Sequence, residues 1–204
     1  MAHVWEIDDL ARLSVLGISG GVSNPSRTTA VVNALVKAVA LRLLADTGLI
    51  EITEAAPSLF AGLSRGALGA SGEAIIQRVE KADLLVVGTP VYRASYTGAL
   101  KHLFDLVDYR ALTGKTVLLA ATGGSPYHGL VLEHQLRPLF GFFGAVTVPT
   151  GVYGTPDDFV DGEIVGAAII ERIARAATDA VSLLNSSHAN AAVATRVGSG
   201  PCNT

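Results

Sequence analysis

Short apolar runs alternate along this chain with longer stretches of helical periodicity. Leu13-Ser14-Val15-Leu16-Gly17-Ile18, Leu49-Ile50-Glu51-Ile52, Leu84-Leu85-Val86-Val87 and Thr116-Val117-Leu118-Leu119-Ala120 read as strands. A fifth, Ala145-Val146-Thr147-Val148, continues past Pro149 toward Tyr153. Unbroken apolar runs are what strands covered on both faces show. The segments between them are helical in pattern. Thr28 to Ala45 is rich in Ala, Leu and Val, with Lys37 and Arg42 toward its end, and Ser71 to Lys81 opens on a capping serine followed by Glu73. Thr97 to Asp108 places Leu100, Leu103, Phe104 and Val107 on one helical stripe. His128 to Phe143 predicts a helix bent near Pro138, and Gly162 to Leu184 the last and longest helix. Strands alternating with helices predict βαβ crossovers and a doubly wound, five-stranded parallel α/β sheet in three layers. The pattern divides the chain into a domain over 1–184 and a polar, aperiodic tail over 185–204, expected to be disordered.

Composition narrows the function classes. Half of the 204 residues are apolar and only 16% are charged, enough for a full core without disulfides or metal. A net charge of −3 gives no basic field for nucleic acid or an anionic membrane surface. A bound phosphate must therefore be held by local geometry. The single cysteine, Cys202, cannot form an internal disulfide. Met1 to Arg12 lacks the basic start and apolar core of a secretion signal, so a cytoplasmic protein is expected. No His/Cys/Asp cluster has metal-ligand spacing, and no metal site is expected.

In an open parallel sheet, ligands bind beyond the carboxyl ends of the strands. Three loops there carry candidate chemistry. The first, Ser19-Gly20-Gly21-Val22-Ser23-Asn24-Pro25-Ser26-Arg27-Thr28-Thr29, follows a strand and opens a helix. Backbone N–H groups at a helix start, hydroxyls and one arginine suit a terminal phosphate; a plain helix cap is the alternative. The loop lacks the Gly-Lys-Ser/Thr of a Walker loop and the GxGxxG fingerprint. It also spells the nucleophile-elbow pattern, but Asn24-Pro25 delays the helix that an elbow needs directly after its serine. The second loop runs from Gly88 to Gly98, where Pro90 and Tyr92 border space for a flat ring. The third, Ala121-Thr122-Gly123-Gly124-Ser125-Pro126-Tyr127-His128, has two glycines that let backbone approach a planar ligand.

Together these loops resemble the NAD(P)H-dependent FMN reductases of the flavodoxin-like superfamily. The pattern is nearest to the reductase components of two-component alkanesulfonate and methanesulfonate monooxygenase systems. The resemblance covers about Leu13 to Leu184 and rests on four motifs: Ser19…Pro25-Ser26-Arg27-Thr28; Thr89-Pro90-Val91-Tyr92-Arg93-Ala94-Ser95-Tyr96-Thr97-Gly98-Ala99-Leu100-Lys101; Ala121-Thr122-Gly123-Gly124; and Leu132-Glu133-His134-Gln135-Leu136-Arg137-Pro138-Leu139. It implies that Ser19, Ser26, Arg27 and Thr28 hold the FMN phosphate. Pro90, Val91, Tyr92 and Arg93 would line the ribityl chain and ring, and Thr122, Gly123, Gly124 and Ser125 would meet the isoalloxazine edge. It further implies NAD(P)H as reductant, a homodimer or homotetramer, and a flavin-dependent monooxygenase as partner. Some relatives carry a tyrosine inserted in the fourth helix; here Tyr127-His128 precedes that helix and no insertion is legible.

The leading expectation is thus an NAD(P)H:FMN oxidoreductase supplying reduced flavin. Its alternatives are a quinone, azo-dye or metal-ion reductase with tightly held FMN, a flavodoxin-type electron carrier, and a nucleotide-binding domain without redox chemistry. Carriers are usually strongly acidic, which this chain is not. No acidic fingerprint or 2′-phosphate site is legible to separate NADH from NADPH.

Overall fold

The computed structural model describes residues 12–198. Cys202 lies outside them. The main sheet is built on β1 (Leu13–Ser19), β2 (Ala45–Glu51), β3 (Leu84–Pro90), β4 (Thr116–Thr122) and β5 (Val146–Thr147), in the order β2-β1-β3-β4-β5. A short β6 (Val152–Gly154) pairs with the end of β4, and all of these pairings are parallel. This is the flavodoxin-like strand order, which the pattern of elements alone does not fix, and it agrees with the expected fold class. Successive residues of a strand face opposite layers. Leu85 and Val87 accordingly join one core cluster, with Leu100, Leu103, Phe104 and Phe140, while Leu84 and Val86 join the other, with Val32, Leu35, Ile169 and Ala177.

The helices are α1 (Arg27–Ala40), α2 (Ile52–Leu59), α3 (Ala70–Lys81), α4 (Gly98–Leu106), α5 (Arg137–Phe142) and α6 (Ala167–Gly198). The face formed by α1 and α6 depends on a close approach. A Cβ built on Gly88 of β3 would lie 2.4 Å from Val32 Cγ2, so only glycine lets α1 sit so near the sheet.

Several boundaries differ from the sequence reading, each for a physical reason. β2 starts earlier than Leu49 and ends before Ile52, because pairing with β1 draws in the polar segment Asp46-Thr47-Gly48 at the sheet edge. That pairing also ends α1 at Ala40 rather than Ala45. Helix α2 escaped notice because Pro57 interrupts it, although Ile52, Ala55 and Leu59 form its buried stripe. The fifth strand is split: β5 pairs Val146 with Thr116, β6 pairs Val152 with Ala120, and the register shifts across Val148–Gly151, where Pro149 has no N–H to donate. The fourth helix is not one helix. It runs as a 3-10 segment (Pro126–Leu130), a π turn (Leu132–Leu136) and α5. The π turn, Leu132-Glu133-His134-Gln135-Leu136, contains no tyrosine and is a local widening of the helix of the kind often found at functional sites. Phe159–Val160 and Glu163–Ile164 form a small antiparallel hairpin, β7 and β8, which postpones the last helix from Gly162 to Ala167. At its other end α6 continues past Leu184 to Gly198, so the segment read as aperiodic tail is helical through that residue.

Candidate functional site

The carboxyl ends of β1, β3 and β4 bring the three loops together as the strand order requires. The first is fixed by hydrogen bonds along its length. Gly20 N–H donates to Gly88 O at 2.7 Å, and Thr97 Oγ1 donates to Gly20 O at 3.0 Å. Thr97 also caps α4, accepting from Leu100 N–H at 3.3 Å, so one side chain ties the loop to the start of that helix. Ser26 is the N-cap of α1 and accepts from Thr29 N–H at 3.2 Å. The first N–H groups of α1, on Arg27 and Thr28, make no hydrogen bond among the described residues. They form the unpaired positive end of the helix, which favours an anion. Arg27 is exposed and enters no ion pair or side-chain hydrogen bond among the described residues.

The second and third loops stand opposite. Val91 N–H donates to Thr122 O at 2.8 Å, and the hydroxyls of Thr28 and Thr122, both buried, lie 2.6 Å apart. That contact joins the first loop to the glycine loop. Tyr92 and Ser95 exchange two backbone hydrogen bonds around Arg93 and Ala94, whose φ values of 51° and 64° are left-handed. Two non-glycine residues in that region make a strained turn, a feature that clusters at ligand clamps. The glycine loop is held from below by Tyr153 on β6. Its hydroxyl donates to Ser125 O at 2.6 Å, and burial pushes its phenol pKa upward, keeping the proton on that oxygen.

Gly21, Ser23, Pro25, Ser26, Arg27, Thr28, Pro90, Val91, Tyr92, Thr122, Gly123 and Gly124 line one cleft of about 190 Å³. Nine of the twelve residues expected at the site are among them: Ser26, Arg27, Thr28, Pro90, Val91, Tyr92, Thr122, Gly123 and Gly124. The other three stand back from it. Ser19 is fully buried behind the loop, Arg93 sits on the exposed turn, and the Ser125 hydroxyl caps the next segment by accepting from Tyr127 N–H. A second recess of about 200 Å³ meets the cleft at Val91 and is lined by Ala94, Tyr127, His128, Leu130, Val131, His134 and Gln135. A larger cavity, about 690 Å³, lies elsewhere, between α4, the segment after it and α5. Sequence reasoning missed Thr97 and Tyr153. The one signal for Tyr153 was its position at the end of an apolar run, where ligands gather in such sheets. Among the described residues no group of His, Cys, Asp and Glu could hold a metal ion, and no helix is long and apolar enough to cross a membrane.

The donor set fits a flavin mononucleotide. A helix N-terminus, a serine hydroxyl and a guanidinium are the kind of donors that suit a phosphate, and Tyr92, Pro90 and two glycines in the same lining are the kind of surface that suits a flat ring. Comparison with known proteins agrees. A family model described as NADPH-dependent FMN reductase matches residues 13–159. The chain is 52% identical over 171 residues to the NADH-dependent FMN reductase SfnF of Pseudomonas fluorescens, spanning 84% of this chain and 91% of that protein. It is 48% identical over 169 residues to the FMN reductase (NADPH) of Pseudomonas aeruginosa, spanning 83% and 91%. The crystal structure of the apo form of the NADH:FMN oxidoreductase EMOB matches with a TM-score of 0.75 and 32% identity, over 83% of this chain and 89% of that one.

Proposed function

This chain belongs to the NADPH-dependent FMN reductase family, and we propose that it reduces FMN in the cleft between its three loops and releases the reduced flavin to a flavin-dependent monooxygenase. The observation that carries the reading is the pairing of an unpartnered helix N-terminus and Arg27 with a two-glycine loop across one cleft. Ser26, Arg27 and Thr28 would take the phosphate. Pro90, Val91 and Tyr92 would flank the ring, with Thr122, Gly123 and Gly124 at its edge. Ser19, Arg93 and Ser125 would support this shell from behind and beside it. Held by these residues, FMN would supply the redox chemistry, acceptance of a hydride from reduced nicotinamide. What this chain supplies is position. The recess beside Val91, with Tyr127, Leu130 and Val131 in its wall, offers the nicotinamide an apolar seat against the ring. No side-chain acid or base is required of the protein.

We place the reaction in the cytoplasm and in a homodimer or homotetramer. Tyr127 is 89% exposed, Phe142 73% and Leu130 63%, apolar surface of the kind that marks an interface. With NAD(P)H and excess FMN under anaerobic conditions, the pure protein should yield many equivalents of free reduced flavin per subunit. One flavin per subunit that stays bound and reduces only added quinone would replace this reading with a quinone reductase.

A further inference from the structure

Behind the phosphate loop lies a carboxylate that the reading above does not use. The register of β1 and β2 sets Glu51, the last residue of β2, beside Ser19, the last of β1. Thr29 Oγ1 donates to Glu51 Oε2 at 3.0 Å, Ser19 Oγ lies 2.8 Å from Thr29 Oγ1, and Gly21 N–H donates to Ser19 Oγ at 3.3 Å. Among the described residues no cation pairs with Glu51. A negative charge this close to an anion-binding loop opposes the ligand, so its presence calls for a reason.

The reason is in the direction of the protons. An ionised carboxylate only accepts. Thr29 therefore spends its single hydroxyl proton on Glu51, and the contact between Thr29 and Ser19 must be donated by Ser19. With its proton committed, Ser19 can meet Gly21 N–H only as an acceptor. The whole chain is polarised one way, from Gly21 through Ser19 and Thr29 to Glu51. The same Thr29 gives its backbone N–H to Ser26 Oγ, which leaves the Ser26 hydroxyl proton for the cleft. We propose that Glu51 is a positioning residue for the FMN phosphate: acting through Thr29 and Ser19, it turns their hydroxyls inward and holds the Ser19–Ser26 loop in the form that offers Ser26 and the first N–H groups of α1 to the phosphate. Ser19 then supports the loop and does not donate to the ligand.

This rests on the flavin reading, and the test separates the two. FMN and riboflavin are titrated by flavin fluorescence into wild type and into Glu51→Leu, Glu51→Gln, Thr29→Val and Thr29→Ser, with thermal melting of each. Glu51→Leu and Thr29→Val remove a link and should weaken FMN roughly three- to tenfold, the scale of one hydrogen bond, with riboflavin little changed. Glu51→Gln keeps an acceptor oxygen and Thr29→Ser keeps the hydroxyl, so both should stay near wild type. Tighter FMN binding in Glu51→Leu and Glu51→Gln alike would overturn the proposal by showing that only the charge matters. So would equal losses for both flavins, or no loss in Thr29→Val at an unchanged melting temperature. Failure of wild type to bind either flavin would instead remove the FMN reading.

Discussion

A methyl group added to Gly123 tests how the glycine loop is held. The Cβ of Gly123→Ala would sit 2.2 Å from Tyr153 Oη and 3.2 Å from its Cζ, with Val91 Cβ at 3.5 Å. The first distance is far inside van der Waals contact, so the ring must move by about 1 Å or more. Doing so breaks the 2.6 Å hydrogen bond from Tyr153 to Ser125 O. Overpacking of this kind costs about 1–3 kcal/mol and one lost hydrogen bond about 1 kcal/mol, which together predict a loss of about 2–4 kcal/mol in folding stability. Tyr153→Phe alone loses only the hydrogen bond. In the double variant the offending oxygen is gone and the closest remaining atom is the ring carbon at 3.2 Å. The two changes should therefore be non-additive, with at least about 1 kcal/mol of coupling. Urea unfolding of the four proteins measures it. Titration with FMN and riboflavin supplies a second readout: in the arrangement proposed above this loop would meet the ring and not the phosphate, so both flavins should weaken alike. Additive stabilities, or a loss confined to FMN, would refute this account of the loop.

Other expectations follow from the same contacts. Arg27→Ala should weaken FMN by about 1–3 kcal/mol, the scale of a charge-assisted hydrogen bond, and leave riboflavin unaffected; equal losses would move the phosphate elsewhere. Ending the chain after Leu184 should change the melting temperature little, because among the residues whose burial is described Leu184 is the last in the second core cluster and Asn185 and Ser186 are exposed; a fall of more than a few degrees would show docking beyond it. Glu73 is held down to about 2 from an ordinary 4.5, chiefly by the hydrogen bond from Arg65 and then by Gln77. A depressed carboxyl adds stability above its unfolded pKa that is lost as pH falls through the folded one, so Arg65→Ala should flatten the decline in stability between about pH 4.5 and 2. An unchanged acid profile in urea unfolding would show that the pair contributes nothing. Light scattering at micromolar concentration should give a dimer or tetramer mass, and a monomer mass would defeat the assembly proposed from Tyr127, Leu130 and Phe142.

What the sequence made legible was local. The central strands β3 and β4 are unbroken apolar runs because both faces are covered, and their positions follow from composition alone. β2 and β6 did not read so clearly because pairing with a neighbour, not side-chain pattern, decides where an edge strand begins. Asp46, Thr47 and Gly48 lie in a strand only because β1 offers its backbone. The π turn and the split of the fifth strand are each small register changes, one in a helix and one at a sheet edge. Neither alters which residues are apolar, so neither leaves a mark in periodicity.

The site divides the same way. Residues that would touch a ligand were found because loops of glycine, hydroxyl and arginine at strand ends are locally unusual. Residues that hold those loops were not, because Thr97, Tyr153 and Glu51 are ordinary in sequence and acquire their roles from contacts 77, 28 and 22 residues away. This asymmetry bears on affinity. Arg27 is the one cation among the residues lining the cleft, so a phosphate bound there as proposed would be held mainly by oriented neutral donors. Such donors bind well only when fixed beforehand, since each must otherwise be ordered as the ligand arrives. Stacking by Tyr92 adds only about 0.5–1.5 kcal/mol beyond the area it buries. A reductase that must release its product is served by this balance: enough preorganisation to position the flavin, and too little charge to keep it. On dilution or gel filtration the protein should therefore lose much of its flavin, and retention of one FMN per subunit through such a step would show that the cleft binds more strongly than its single cation and neutral donors account for.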